Sequence, residues 1–561
     1  MNQNPLPADA SAPASLGAPQ NRPAPGGQAL PGWQFTPYTY PAPKPREPVP
    51  AAAADGVMAL FTLLAAWLFL RLVTTFYPGL GVTLFTMGFV ALVLAYRQQA
   101  GLPLPRQSLP WLGVMFLSSA NFALLDNGSI AHLNIVFLVV VTAYWLACLG
   151  GTRVEDQLGG YLLADLRNQL FVVPFQNFGC LGSVAKGTLA KTRLGKNLVV
   201  ALLALVCSLP LLWYVCGELA QVEAGFGSFL EELLDLVSLR SIFSTATLLS
   251  VPLGCYLYGL IYGNQHKRYT GLITAEKLDQ AAVRRRVLPP AAVYTLLTLL
   301  CLVYALFFAI GAAGFLTFLG STGLTPYDYS QFARQGFFEL CRVSVVNLLV
   351  LWGIHLFLNT SSQRSTAPTR VFHTILCCQT LLLIALALCK MGLYIHFCGV
   401  TWLRVCTSWF MVLLAAVFGL TLLAQFRKIP LARWIAASFC ILFLALCYMN
   451  VDGLVVKSAV WRYENLGDAS AFTDSPLYAE DSDLGPYAVA GAAELRGLYL
   501  REIAKPDTQV LPELERLLAR AARTTRRWDS LSHWNLQRIQ AASASQGFLP
   551  PPAQPELPPL A

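Results

Sequence analysis

The chain has 561 residues, of which 55% are hydrophobic and only 12% charged, and its mean hydropathy is +0.54. Globular proteins carry roughly 25% charged residues, so this composition excludes a soluble enzyme core, a disordered chain and a fibrous repeat. The net charge of +9 divides unevenly, because residues 451–561 hold 11 Lys and Arg against 14 Asp and Glu and the remainder carries +12. The basic residues fall in short loops between apolar runs, where they set membrane orientation. Nucleic acid is therefore not an expected partner.

Residues 1–54 include 13 Pro among many Ala, Gly and Gln. Such a segment cannot bury a core and is expected to be a disordered, Pro/Ala-rich cytoplasmic tail. The first apolar run begins only near Gly56 and lacks the short cleavable design of a signal peptide, so it reads as a retained anchor helix.

Residues 55–450 form the expected membrane bundle. Crossing the hydrocarbon takes about 20 apolar residues, and by that measure eleven spans lie near 56–76, 79–96, 109–126, 129–149, 198–217, 241–263, 290–319, 336–358, 371–389, 405–425 and 431–449. The third carries Ser118, Ser119 and Asn121 and is the weakest. With the N-terminus in the cytoplasm, the inner segments hold 22 basic residues, whereas the short outer loops hold only Arg240, Arg334, Lys390 and Arg404. An odd span count then puts the C-terminal tail outside the cytoplasm, in a cell membrane. Two stretches, Phe226–Val237 and Val154–Val173, have amphipathic spacing that predicts helices lying on the membrane surface. All 14 Cys lie between Cys148 and Cys447 without metal or redox spacing, and read as small apolar residues. Gly259 and Gly263 form a GxxxG packing motif, and Asn121, Asn134 and Asn347 are placed to hydrogen-bond between helices.

Residues 451–545 read as a small extracytoplasmic helical module. Helical periodicity recurs in Leu454–Tyr463, in Tyr487–Ile503, through Leu511, Leu514, Leu518 and Ala521, and again through Trp528, Leu531, Trp534 and Ile539. Residues 546–561 are Pro-rich and expected to be disordered.

Three stretches resemble motifs of an uncharacterised bacterial multi-pass membrane family. They are YDYSQFARQGFFEL (Tyr327–Leu340), GLYIHFCGVTWLRV (Gly392–Val405) and WDSLSHWNLQRIQAA (Trp528–Ala542). NVDGLVVKSAVWRYE (Asn450–Glu464) stands where the family has Asn-Pro-Asp and then an Arg-Tyr element, with Val451 in place of the Pro. The family is a domain of unknown function, of the four-one-seven-three or related four-one-five-three type, and the resemblance covers roughly residues 200–542. It implies a bacterial cytoplasmic-membrane protein with a helical tail and supplies no reaction.

Ionisable residues within membrane helices are costly and ordinarily face the bundle interior. Glu339 and Arg342, three apart on one helix, can pair there. Arg71, Lys390 and Arg404 fall at the outer ends of their own helices, with Tyr327, Asp328, Tyr329 and Arg334 in the adjoining outer loop. That level carries five basic and two acidic side chains, a positive excess that asks for an anionic partner: a lipid phosphate, a solute, or the acidic tail folded over it. The bland alternative is snorkelling by Arg71, Lys390 and Arg404 around a structural Glu339–Arg342 pair.

No GxxxxGK[ST], HExxH or GxSxG occurs, and nothing points to a metal, a cofactor or a catalytic residue. The leading reading is a non-enzymatic protein that binds, senses or transports an anionic or lipid-like ligand at its outer face. One alternative is a membrane-embedded transferase on a lipid-linked substrate, which would need Glu339 or Asp328. Another is a scaffold that recruits a protein partner through its Pro-rich N-tail.

Overall fold

In a computed structural model of the chain, the described residues are 52–74, 78–191, 245–320, 337–358, 366–473, 485–505, 510–526 and 533–548, and the regular structure among them is helical. The first group of helices is α1 (Ala53–Leu72), α2 (Leu80–Gln99), α3 (Leu109–Leu124), α4 (Gly128–Gly150), α5 (Leu162–Arg167), α6 (Val173–Gln176), α7 (Cys180–Lys191) and α8 (Thr245–Gln265). They close around Met58, Phe89, Met115, Trp145, Tyr258 and Tyr262. After the short polar α9 (Ala275–Arg285) come α10 (Pro290–Gly320), α11 (Phe337–Phe357), α12 (Thr366–Cys398) and α13 (Trp402–Phe426), which pack around Leu297, Leu376, Leu383, Met411 and Phe418. Helix α14 (Leu431–Tyr448) packs on both α13 and α3, so Phe443 and Leu446 complete the first core.

Eight of these helices are long and apolar enough to cross a membrane: α1, α2, α4, α10, α11, α12, α13 and α14. Each coincides with an expected span. The expected third span is a helix of 16 residues, about 24 Å at 1.5 Å per residue and short of a roughly 30 Å hydrocarbon layer. The expected sixth span is α8, a continuous 21-residue helix with Pro252 inside it, which is not among the eight. The expected fifth span, near 198–217, lies outside the described residues, as does the acidic Phe226–Val237 stretch. Large apolar side chains such as Leu60, Leu302, Leu306, Ile310 and Val346 stand more than half exposed on the outer faces, a distribution suited to lipid contact.

The Val154–Val173 stretch departs from the expected surface helix. It is irregular to Gly160, then forms α5, a π-helical turn at Asn168–Val172 and α6. Its polar residues turn inward: Asn168 and Gln169 are buried, while Leu163, Phe171 and Phe175 are exposed. The extra residue of the π turn releases backbone groups, and here it faces a cluster of amides. Gln169 Nε2 donates to Thr152 Oγ1 at 3.1 Å, and Asn264 Nδ2 donates to Gln169 Oε1 at 2.7 Å. An amphipathic pattern specifies two faces without saying which one meets the protein.

Interhelical amides act as anticipated. Ser118 Oγ donates to Asn134 Oδ1 at 2.7 Å, tying α3 to α4. Tyr304 Oη donates to Asn347 Oδ1 at 2.6 Å and Asn347 Nδ2 to Thr380 Oγ1 at 2.9 Å, joining α10, α11 and α12. The twelve cysteines among the described residues are free thiols.

Gly259 and Gly263 allow α8 to lie directly against α6. A Cβ on Gly259 would come 2.6 Å from the Pro174 carbonyl oxygen, and one on Gly263 would come 2.5 Å from Val173 Cγ1. Gly353, by contrast, has open space around it. Gly259→Ala is therefore expected to cost about 1–3 kcal/mol, the range for forced overpacking, and Gly353→Ala close to nothing. Thermal melts of the two variants in detergent check the difference.

Candidate functional site

Of the nine residues expected at the outer cluster, Tyr327, Asp328, Tyr329 and Arg334 lie outside the described residues. Glu339 and Arg342 do pair, 2.9 Å apart within the first turns of α11. Their orientation differs from the interior placement expected for membrane charges, since the side chains are 60% and 73% exposed, respectively. Lys390, half-buried near the end of α12, lies within electrostatic reach of Glu339. Helices α11 and α12 pack together, so these three form one group.

Arg404 is engaged otherwise. Its Nη1 donates to the Cys398 carbonyl at 2.8 Å and to the Gly399 carbonyl, and its guanidinium carbon sits 3.9 Å from the Tyr394 ring centroid. Those carbonyls belong to the C-terminus of α12, where a cation offsets the helix dipole. The GLYIHFCGVTWLRV motif is thus a helix–turn–helix corner, with Thr401 capping α13 by accepting from the Arg404 amide. Arg71 stands 5.6 Å over Trp67 on α1, which packs on α2, α7 and α8, apart from α11 and α12.

The same end of the bundle carries a buried polar network, of which the sequence reading singled out only Asn121 as an interhelical hydrogen-bonding residue. Helix α14 stops at Asn450, which adopts a left-handed conformation (φ 48°) and accepts from the Gly453 amide at 3.2 Å, starting α15 (Val451–Leu466). From there run α16 (Ser470–Thr473), α17 (Gly485–Ala490), α18 (Ala492–Glu502), α19 (Leu511–Arg526) and α20 (Leu536–Ala544). They close on Val456, Phe472, Leu495, Leu514 and Leu518, and on a small-residue contact among Ala492, Ala521 and Ala541. The last helix begins at Asn535, later than the expected turn set through Trp528 and Leu531, which lie outside the described residues. Trp534 and Ile539 are exposed, and Arg538 and Ala541 are buried in their stead.

Arg538 reaches into the α3–α4 turn. Its Nη2 lies 2.6 Å from Asp126 Oδ1, and both side chains are almost wholly buried. Beside it, the Asp126 amide donates to Gln537 Oε1 at 2.7 Å and Gln537 Nε2 donates to the Ala490 carbonyl at 2.9 Å, so one glutamine bridges the bundle, α20 and α17. Asn121 Nδ2 donates to the Cys447 carbonyl at 3.0 Å, and Asn127 Nδ2 donates to the same oxygen. Cys447 lies in the last turn of α14, whose carbonyls have no partner within the helix. The Leu80 amide, at the start of α2, donates to the Trp534 carbonyl at 2.7 Å. Glycine is required at position 79, where a Cβ would come 2.7 Å from the His533 backbone.

Asp452, wholly buried in the first turn of α15, lies at the N-terminus of α4. It accepts from Ser129 Oγ at 2.8 Å and from the Ser129 amide at 3.4 Å. Burial pushes its carboxyl up to about 6; the Ser129 bonds oppose that shift and the neighbouring Asp126 charge adds to it. Elsewhere in the tail, Glu502 is lowered by the Lys505 ammonium and Asp468 by the Ser470 hydroxyl and the Arg462 guanidinium. A second buried cluster, at the opposite end, joins the Asp55 carboxylate on α1 to the Tyr96 hydroxyl on α2 and to His266 Nε2 at 3.1 Å. Among the described residues no three His, Cys, Asp or Glu side chains converge as metal ligands would.

Signals for the missed residues were present. Asn450-Val451-Asp452 is a cap followed by an N-terminal acid, directly after a span. Asp126-Asn127 is a polar pair in a turn too short to need one. The pairing of Asp126 with Arg538 is invisible along the chain, because 412 positions separate them.

Two outcomes follow. Arg538→Ala leaves Asp126 buried without its countercharge, a loss of about 3–5 kcal/mol. Hydrogen exchange in 485–502 and 511–526 should accelerate, while that of α1 and α4 stays as it was. The second concerns pH. Because the folded-state carboxyl of Asp452 titrates near 6, above an ordinary value of about 3.8, its protonated form favours the docked state. That contribution is complete below about 4 and lost as pH rises through about 6. Protection of α15 should therefore increase as pH falls from 7 to 5, and Asp452→Asn should flatten that slope. Below pH 4, protonation of Glu502 and Asp468 acts in the opposite sense.

No curated protein and no solved structure matches the chain. A profile of the family DUF4153, a domain of unknown function, matches residues 112–493. The matched region starts earlier than the resemblance drawn from the motifs and stops before Trp528–Ala542. It spans α3 to the first turn of α18, so it contains the Glu339–Arg342 pair, Lys390, Asp126 and Asp452, while Arg538 lies beyond it. With about two thirds of its length matched, the chain belongs to the DUF4153 family.

Proposed function

We propose that this membrane protein is non-enzymatic and binds, senses or moves an anionic or lipid-like ligand at the end of the bundle where its C-terminal helices dock. The observation that carries the reading is Arg342, held on one side by Glu339 at 2.9 Å yet 73% exposed on the other, with Lys390 beside the pair. Two cations against one carboxylate leave a positive excess at the depth of lipid headgroups. The guanidinium fork suits a phosphate or carboxylate better than a point charge does. In this reading Arg71 and Arg404 are structural cations, and the site is made of Glu339, Arg342 and Lys390.

The orientation proposed with it has the N-terminus in the cytoplasm and the C-terminal helices outside. It is supported by an internal consistency. Turns 78–80 and 125–127, the end of α14 and the α12–α13 corner all meet the C-terminal helices, whereas Gln107, Arg153, Gln157 and Arg433 gather at the other end. That other end holds the loops richest in Lys and Arg, which favour the cytoplasm. The docked C-terminal helices leave Glu339 and Arg342 exposed, so an exterior ligand reaches them without undocking the tail.

A lipid and small-molecule mass-spectrometry profile of the purified protein tests the proposal. The wild type should retain an anionic species that Arg342→Gln reduces at least tenfold at unchanged expression and melting temperature. Identical profiles for the two proteins would refute it.

A further inference from the structure

A groove lies at the end of the bundle opposite the Glu339–Arg342 pair. It has a volume of about 520 Å³ and runs between α3 and α14 beneath the loop after α4. Ligand pockets commonly occupy roughly 300–1,000 Å³. Its two levels differ in chemistry. Gln107, Arg153, Gln157 and Arg433 form the upper level; Trp111, Val114, Ala436, Ala437, Cys440 and Ile441 form the walls below.

Both arginines are oriented by neutral partners. Arg433 Nη2 donates to Gln157 Oε1 at 2.6 Å, and Arg153 Nη2 donates to Gln107 Oε1 and to the Asp156 carbonyl. Neither makes an ion pair among the described residues, and Arg153 Nε is buried with no hydrogen-bond partner. The Asp165 carboxylate, within electrostatic reach of Arg153, is turned to the Val154 amide at 2.8 Å. The cavity rim thus holds two positive charges, steered by glutamines and not cancelled by an acid in its lining.

Arg433 stands two residues inside the start of α14, next to the exposed Trp434, a pairing typical of the membrane–water boundary. From Arg433 to Ile441 the groove descends eight residues, about 12 Å into the apolar layer at 1.5 Å per residue. Two alanines on α14, Ala436 and Ala437, keep that path open. A soluble anion would use only the rim. A molecule with a negative head and a hydrocarbon chain satisfies both levels at once.

We propose that this groove is a binding site for an anionic phospholipid, its phosphate held between Arg153 and Arg433 and one acyl chain lying along α3 and α14. The site is separate from the Glu339–Arg342–Lys390 group and stands or falls independently of it. In the membrane it lies on the side that the loop charges assign to the cytoplasm.

The test uses the full chain, purified in detergent and exposed in turn to phosphatidylglycerol and to phosphatidylcholine, with bound lipid counted by native mass spectrometry. Wild type should retain phosphatidylglycerol at least tenfold more than phosphatidylcholine. The double variant Arg153→Gln/Arg433→Gln should lose that preference, whereas Arg427→Gln, at the same end, should keep it. Ala437→Phe fills the groove without touching a charge and should also remove the bound lipid, which keeps the test decisive should the double variant fail to fold. Equal retention of the two lipids by the wild type, or undiminished phosphatidylglycerol on Ala437→Phe, would overturn the proposal. So would displacement of the lipid by millimolar inorganic phosphate alone, since that outcome marks a site for a soluble anion.

Discussion

The arrangement of this chain depends on one buried ion pair, Asp126 with Arg538. Moving two charges out of water costs several kcal/mol per ion, and only close geometry with further hydrogen bonds repays it. Here the two sit 2.6 Å apart, Arg538 Nη1 also donates to the His533 carbonyl, and the Asp126 amide donates to Gln537. The pair has one compatible partner on each side, so it specifies where the C-terminal helices come to rest. Apolar side chains such as Val456 and Leu495 fill the core of those helices but carry no such register information.

The network also resolves a problem common to membrane bundles. Helix ends carry backbone groups with no partner in their own helix, and an end packed against other helices is shielded from the water that would otherwise serve. In this chain the last carbonyls of α14 are met by Asn121 and Asn127, those of α12 by Arg404, and the first amides of α4 and α2 by Asp452 and by the Trp534 carbonyl. Several residues that look functional along the sequence are spent in this way. Arg404 illustrates it: a cation at the outer end of a helix reads equally as a ligand contact or as a cap, and its carbonyl partners and the Tyr394 ring make it a cap.

Positive charge is concentrated at both ends of the bundle but built differently. At one end Glu339 neutralises part of Arg342 and leaves Lys390 alongside, on an exposed helix face. At the other, Arg153 and Arg433 are steered by glutamines over an apolar groove. The first geometry suits a headgroup or solute met at the surface. The second suits an amphiphile entering sideways from the bilayer.

The apolar, membrane-protein character, the positions of eight helices long and apolar enough to cross a membrane, the helical tail and the close-packing role of Gly259 and Gly263 were legible in the sequence. They depend on local composition and on spacing within one helix, which chain order preserves. Three things were not. The inward turn of Asn168 and Gln169 escaped because a polar stripe has the same periodicity whether it meets water or a buried amide cluster. The exposure of Glu339 and Arg342 escaped because helix rotation is set by neighbouring helices. The partnership of Asp126 with Arg538, and of Arg153 with Arg433 across one cavity, joins residues hundreds of positions apart. Only the packing of α3, α4, α14 and α20 could bring them together, since electrostatic coupling acts through distance in space and leaves no mark on the order of residues.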